Sequence, residues 1–318
     1  MLLDSVIVVL GFIGLIWGAD KFVFGASGLA RNMGVSPLMI GLTIVAFGTS
    51  APEIFSSAVS AYEGKPELAI GNALGSNLFN VGVALGIAAL ISPMKPPDSL
   101  IAKELPALLL VTVATGALLL DLYLGAFDAF VLIGITAYFG YRLFRARVAR
   151  SDAVDLDEDE IADLNSLQAV AYLFLGLALL VLSAEALVQA ASSIATALGV
   201  STAIIGLTIV ALGTSLPELA ASVTCVLRGH DDLAIGNIVG SNILNLLVVL
   251  PFPGLLSAGA IEAPLFYRDY VVVLILTLLL AYFCYRGIKR QQRIGRLNGV
   301  IFLSIYCGWF TFMFYQIN

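Results

Sequence analysis

The chain has 318 residues, of which 60% are hydrophobic and only 12% are charged, and its mean hydropathy is +1.00 with a net charge of −6. This combination excludes a soluble globular domain. The apolar runs are long and unbroken, whereas the strands of a membrane barrel would alternate apolar and polar residues. The composition therefore predicts an all-α membrane protein.

The predicted elements are ten membrane-spanning helices, because a helix needs about 20 mostly apolar residues to cross a bilayer. The first has Asp4 rather than a basic leader, and its apolar run is longer than that of a signal peptide, so we expect it to be retained. In chain order the predicted spans are 4–28, 35–61, 67–91, 104–120, 123–146, 167–197, 201–227, 233–256, 267–286 and 297–316.

The basic residues predict how the chain is oriented, since Lys and Arg accumulate on the cytoplasmic side of a membrane. Fourteen of the 16 fall in the loops after spans 1, 3, 5, 7 and 9, and only Lys65 and Arg268 fall on the other side. This asymmetry supports an even number of spans. It places both termini on the non-cytoplasmic side of a prokaryotic inner (plasma) membrane.

An acidic stretch separates two halves of the chain. It holds seven Asp and Glu residues between Asp152 and Asp163, and it lacks the glycine and the alternating pattern of an EF-hand loop. We interpret it as a solvated cytoplasmic linker. The predicted organisation is a first transmembrane repeat at 1–150, an acidic linker at 151–166 and a second transmembrane repeat at 167–318.

The two halves contain two copies of one pattern. Residues 41–53, GLTIVAFGTSAPE, match residues 206–218, GLTIVALGTSLPE, with two differences in 13 positions. The same offset of 165 residues maps 69–80, AIGNALGSNLFN, onto 234–245, AIGNIVGSNILN. One duplicated five-helix unit therefore accounts for nearly the whole chain. Because five is odd, the second copy enters the membrane from the opposite side, and the repeats are inverted.

The polar residues recur at matching places in both copies. Inverted repeats with matching polar breaks are typical of a secondary transporter whose site lies near the bilayer midplane. Pro52 removes one backbone donor and frees carbonyl oxygens in mid-membrane. Helical spacing places the oxygens of each copy on shared faces. The candidate side chains are Thr49, Ser50, Glu53, Ser76 and Asn80 in the first copy and Thr214, Ser215, Glu218, Ser241 and Asn245 in the second.

These residues offer hard oxygen ligands and two carboxylates, with no histidine or thiol. Such ligands suit Ca²⁺, which takes about six to eight oxygens. An ionised side chain at the bilayer centre costs at least about 2.5–3.5 kcal/mol, so the natural counter-ion for Glu53 and Glu218 is a transported cation. The alternative for the two glutamates is a protonated, hydrogen-bonded pair in the protein core. The alternative for the glycine-rich segments is that they serve close helix packing. We interpret Asp20 and Glu185 as solvated and place them outside the site.

The paired GTSxPE and GSNxxN segments resemble the two α-repeats of the sodium/calcium exchanger family, within the cation/calcium antiporter superfamily, and the size resembles its compact prokaryotic members. The resemblance covers both halves. It implies a ten-helix fold in which the second and third helices of each repeat surround a diamond of cation sites. Glu53 and Glu218 would bind Ca²⁺ and share Na⁺ sites with the hydroxyl residues. It also implies that backbone carbonyls of Ala46, Thr49, Ala211 and Thr214 complete the shells. Some members carry Asp at the position of Asn245, and its absence here makes K⁺ co-transport less expected.

The predicted function is antiport of Ca²⁺ and Na⁺ by alternating access. A Ca²⁺/H⁺ antiporter using the same glutamates, and a cation channel, are the alternatives; an intramembrane enzyme is disfavoured because no nucleophile and base pair or zinc-ligand spacing occurs. We expect no cofactor, with Ca²⁺ and Na⁺ bound as substrates. We also expect a lipid bilayer as the surrounding phase, no nucleic-acid partner and no obligatory protein partner.

Overall fold

The structure is a computed structural model that describes residues 1–149, 164–200, 209 and 211–317, with backbone alone at 143–149, 211 and 317. Most of the predicted acidic linker lies outside the described residues. So do residues 201–208 and 210 of the predicted span 201–227.

Helices make up nearly all of the described chain, as the composition predicts. The first half contains α1 (Leu2–Met33), α2 (Pro37–Thr49), α3 (Ala51–Tyr62), α4 (Pro66–Ile91), α5 (Ser99–Ala102), α6 (Glu104–Leu119) and α7 (Ala126–Ala149). The second half contains α8 (Ser166–Ala197), α9 (Ala211–Gly213), α10 (Leu216–Leu227), α11 (Asp231–Leu256), α12 (Leu265–Arg290) and α13 (Arg296–Ile317). Two short strands, β1 (Tyr123–Leu124) and β2 (Gly259–Ala260), pair antiparallel.

Six of the described helices are long and apolar enough to cross a membrane: α1, α4, α8, α11, α12 and α13. Helices α2 and α3 meet at a bend of 46° and together make a seventh such segment. Helices α6 and α10 are apolar but shorter. The membrane architecture is thereby supported, while the count of ten spans in two inverted repeats stays a prediction.

Two predicted boundaries differ from the structure. Helix α1 continues to Met33, five residues past the predicted end, and Gly34 stops it in the left-handed conformation (φ 62°), which glycine adopts without steric cost. The span predicted from residue 123 starts too early. Tyr123 is paired with Ala260 in the small sheet, and α7 begins at Ala126.

Helices α1 and α8 pack against each other through glycines. A Cβ at Gly18 would lie 2.7 Å from the Leu180 nitrogen, and Gly176 lies equally tightly against the backbone of Phe22. Small residues allow this close approach of two membrane helices. Only 22% of the apolar window of α1 and 33% of that of α8 are buried, compared with 72% in α4 and 89% in α11. The α1–α8 pair is therefore peripheral, and α4 and α11 form the core.

Candidate functional site

The helix that carries Glu53 is broken immediately before it. Helix α2 ends at Thr49, and α3 begins at Ala51 with Pro52 in its first turn. Proline cannot donate a backbone hydrogen bond, which explains the break at this position. Glu53 thus lies in the first turn of α3. Glu218 occupies the same place in α10.

The two glutamates accept hydrogen bonds from serines of the opposite half. Ser50 Oγ donates to Glu218 Oε1 over 2.8 Å, and Ser215 Oγ donates to Glu53 Oε1 over 2.9 Å. Each contact is the other shifted by 165 residues. Ser76 Oγ adds a longer bond of 3.3 Å to Glu53 Oε1 and accepts from Ser215 Oγ at 3.0 Å. The two carboxylates therefore belong to one polar cluster. Replacing each residue by its equivalent in the other repeat maps the contact of one carboxylate onto that of the other.

Two further asparagines make another pair of contacts between the halves that is related in the same way. Thr49 Oγ1 lies 3.1 Å from Asn237 Oδ1, and Thr214 Oγ1 lies 3.5 Å from Asn72 Oδ1. Asn72 Nδ2 also donates to the backbone carbonyl of Glu53 over 3.2 Å. The sequence prediction did not include Asn72 or Asn237, although both stand in the duplicated AIGN motif.

Four asparagines form a second reciprocal contact between the halves. Asn80 Nδ2 donates to Asn242 Oδ1 and Asn245 Nδ2 donates to Asn77 Oδ1, each over 3.1 Å. Asn80 and Asn245 each begin a π-helical turn, a widened turn that is often found at functional sites. Asn77 and Asn242 were also missed, and the duplicated GSN motif is the signal that could have identified them.

Several oxygens of this cluster lack a hydrogen-bond partner within the described part of the chain. Ser241 lies beside Glu218, but its hydroxyl makes no hydrogen bond within the described residues. Buried polar atoms are almost always paired in proteins, so such a group of acceptors indicates a site for something that donates positive charge. The unpartnered atoms are Glu53 Oε2, Glu218 Oε2, Asn80 Oδ1, Asn245 Oδ1 and Ser241 Oγ.

The two buried carboxylates of the cluster lack a compensating positive charge among the described residues. Glu53 and Glu218 are both 0% exposed, and their charges repel each other. The ion pairs of the described chain do not include either residue. The helix N-terminus below each carboxylate supplies about 0.3–1 kcal/mol, up to about 2 in partly buried geometries. This is less than the cost of about 2.5–3.5 kcal/mol for each buried charge.

The structure brings together almost all of the side chains that the sequence selected. Thr49 lies beside Glu218 in the buried cluster, and Ala46 is buried one turn before Thr49. The Ala46 carbonyl accepts the Ser50 N–H at 3.0 Å and, over a longer 3.4 Å, the Thr49 hydroxyl. Ala211 begins α9, and its side chain lies outside the described atoms. No group of three or more His, Cys, Asp or Glu side chains was found among the described residues.

Removing either cross-repeat hydroxyl is expected to weaken cation exchange about tenfold or more. A hydrogen bond to a charged group contributes about 1.5–3 kcal/mol, and the same serine oxygen can turn a lone pair toward a cation. We expect this loss for Ser50→Ala and for Ser215→Ala, measured as initial Ca²⁺ flux in vesicles. Ser27→Ala is the matched control, because Ser27 is buried and, among the described residues, its hydroxyl bonds to the Phe24 carbonyl alone. Equal fluxes in all three variants would contradict the assignment.

Comparison with known proteins identifies the family. The family model described as sodium/calcium exchanger protein matches residues 4–147 and, a second time, residues 168–315. The chain belongs to this sodium/calcium exchanger family. The resemblance inferred from the duplicated motifs is thereby confirmed.

Relatives of this exchanger-family chain match it over almost its full length. It is 42% identical to the antiporter candidate CaxA of Alkalimonas amylolytica, with 99% of both chains covered. It is 36% identical to the inner membrane protein YrbG of Escherichia coli K12, covering 99% of this chain and 98% of YrbG. Among solved structures, the sodium-calcium exchanger NCX_Mj superimposes with a TM-score of 0.82 at 33% identity, covering 96% of this chain and 97% of that one. These matches place the chain among membrane antiporters.

Proposed function

We propose that this protein exchanges Ca²⁺ for Na⁺ across a prokaryotic inner membrane by alternating access. The observation that carries the proposal is the set of buried, unpartnered oxygens to which both halves contribute, two from the first half and three from the second. Five such oxygens, two of them from carboxylates, approach the six to eight that Ca²⁺ requires. Neighbouring hydroxyls and backbone carbonyls supply the remainder. The solved NCX_Mj exchanger was studied with Na⁺, Ca²⁺ and Sr²⁺, which supports the same substrates here.

The proposed architecture is ten helices in two inverted repeats, 1–150 and 167–318, joined by the acidic linker at 151–166. The reciprocal contacts, which a shift of 165 residues maps onto one another, support a two-fold relation between the halves. The basic loops support a topology in which both termini lie on the non-cytoplasmic side. In this arrangement the cations bind between Glu53 of one repeat and Glu218 of the other, with Thr49, Ser50, Ser76, Asn80, Thr214, Ser215, Ser241, Asn245, Ala46 and Ala211 around them.

Coupling follows from the charge of the site. Two ionised carboxylates neutralise one Ca²⁺, or they are shared among several Na⁺. They do not balance the charge of Ca²⁺ and several Na⁺ bound at the same time. A loaded site is close to neutral, so it can be enclosed by protein at little cost. An empty site keeps two negative charges in a low-dielectric region, which disfavours the passage between inward-open and outward-open forms. This difference makes one flux depend on the other.

Uptake of ⁴⁵Ca²⁺ into reconstituted vesicles tests the coupling ion. Vesicles loaded with Na⁺ and diluted into Na⁺-free buffer at equal pH are expected to take up Ca²⁺, and vesicles loaded with K⁺ are not. A protonophore is expected to leave the uptake unchanged. Uptake that ignores Na⁺ and follows a pH gradient would instead identify a Ca²⁺/H⁺ antiporter. Flux that does not saturate with Ca²⁺ would identify a channel.

A further inference from the structure

An ion pair connects α1 to the end of the helix that carries Glu218. Arg228 directly follows α10, and its Nε donates to Asp20 Oδ1 over 2.9 Å, while its Nη2 donates to the same oxygen. The Arg228 guanidinium also lies over the Phe24 ring, 5.6 Å from the centroid. Phe24 is one helical turn after Asp20. Arg228 therefore holds α1 through a charge and an aromatic face together.

Asp20 lies outside the buried cluster, as interpreted from the sequence, and the structure adds an ion-pair partner for it. Its side chain is 32% exposed and that of Arg228 is 35% exposed, so solvent partly screens the pair. Lys21 adds a second, longer contact of 3.5 Å to Asp20.

The ion pair lies between two bodies of different character. On one side is the α1–α8 pair, which is tightly joined through glycines and mostly faces the bilayer. On the other side is the core that holds the buried cluster. Helix α10 belongs to this core and carries Glu218. The backbones within the α1–α8 pair pack closely, and only 22% and 33% of their apolar windows are buried, so we take the boundary between this pair and the core as the plane of movement.

The second repeat does not reproduce this ion pair. A shift of 165 residues carries Asp20 to Glu185 and Arg228 to Glu63, which are both acidic. Glu185 accepts from Gln189 of its own helix over 3.2 Å, and Glu63 pairs with nearby Lys65 at 2.7 Å. Within the described ranges, no ion pair joins α8 to α3. Among the described residues, the contact between α1 and α10 therefore contains an ion pair that the equivalent contact between α8 and α3 lacks.

We propose that Asp20 and Arg228 are positioning residues of the transport cycle, which hold the α1–α8 pair against α10 and favour conformations closed on that face. The proposal rests on the alternating access proposed above. The face concerned carries the basic loops, so the closed side is the cytoplasmic one in the proposed topology. A half-exposed ion pair shifts such an equilibrium by about threefold to fivefold.

The protein contains its own reporter for this face. Cys225 lies one turn before Arg228 on α10, is 0% exposed, and its carbonyl accepts the Arg228 N–H at 3.1 Å. Opening of the α1–α10 boundary is expected to admit water and reagents to this thiol. The remaining cysteines, Cys284 and Cys307, can be replaced by serine to leave a single label site.

The test measures how fast a membrane-impermeant maleimide labels Cys225 from the cytoplasmic face of vesicles. Asp20→Asn and Arg228→Gln are each expected to raise the rate about threefold to fivefold. The charge exchange Asp20→Arg with Arg228→Asp is expected to restore the slow rate, because it re-forms an ion pair between the same two positions. An unchanged melting temperature in the single variants separates the positioning role from a merely structural one. Glu185→Gln, at the equivalent position in the second repeat, is the control and is expected to leave the labelling rate of Cys225 unchanged.

The outcomes separate this proposal from the proposed function. Unchanged labelling in both single variants, with Na⁺-dependent Ca²⁺ uptake intact in the parent protein, would overturn the role of the ion pair alone. Faster labelling that the charge exchange does not reverse would also overturn it. Absence of Na⁺-dependent uptake in the parent would instead reject the proposed function, because the labelling does not require transport.

Discussion

Glu53→Gln is expected to reduce Ca²⁺ flux at least about 100-fold and to remove Ca²⁺ binding, while the protein remains folded. Glutamine keeps the size of the side chain and can still accept the Ser215 and Ser76 hydrogen bonds. It lacks the charge, and a buried carboxylate that only a cation compensates represents about 2.5–3.5 kcal/mol, which corresponds to about 100-fold. The measurements are ⁴⁵Ca²⁺ flux in vesicles and thermal stability in detergent.

The matched control for this substitution is Glu185→Gln, which removes a carboxylate that lies outside the cluster. Its flux is expected to stay near that of the parent. Glu218→Gln is expected to behave like Glu53→Gln, because the two residues exchange roles under the repeat relation. Near-normal exchange in either site variant would overturn the assignment of the site. A lower melting temperature in both would show that the carboxylates are structural.

Gly236→Val is expected to prevent normal folding and to abolish transport. Helices α2 and α11 cross with their backbones in contact, and a Cβ at Gly236 would lie 2.7 Å from the Leu38 carbonyl oxygen and 3.2 Å from the Gly41 Cα. The obstructing atoms are backbone, so no side chain can move aside, and overpacking of this kind costs about 1–3 kcal/mol or more. The displaced helix would also separate Thr49 from Asn237, which is adjacent to the substitution.

The control for this prediction is Gly308→Val in α13, where a Cβ would meet nothing within 4 Å among the described atoms. The fraction of monodisperse protein in detergent, the melting temperature and the Ca²⁺ flux are compared between the two variants. We expect the Gly308 variant to match the parent in all three. A Gly236 variant with the parent's melting temperature and flux would show that the helix crossing is looser than described.

The predicted site and the observed cluster differ mainly in their asparagines. Asn72 and Asn77 lie within the duplicated motifs, but the sequence does not show which helix faces them. Their partners are Thr214 and Asn245, 142 and 168 residues away. Spacing along a helix reveals which side chains share a face, whereas a contact between halves depends on how the helices pack. The ion-pair partner of Asp20 was not predicted for the same reason, since Arg228 is 208 residues away.

The helix break shows the opposite case. Pro52 was sufficient to predict that the helix carrying Glu53 is interrupted, because the missing backbone donor is a property of that residue alone. The break lies at Ser50, and the bend of 46° places Glu53 at the start of a new helix. The π-helical turns at Asn80 and Asn245 were not predicted, because they depend on the packing around those helices.

Composition, periodicity and self-comparison were enough to recognise a helical membrane protein, its duplication and the two carboxylates. Those features are carried by single residues, or by segments that can be aligned with one another. The reciprocal Ser–Glu contacts, the asparagine pairs and the ion pair on only one face became visible with the packed helices. They join atoms that are distant in the chain, and a hydrogen bond or an ion pair forms only when packing brings its two atoms within about 3–4 Å.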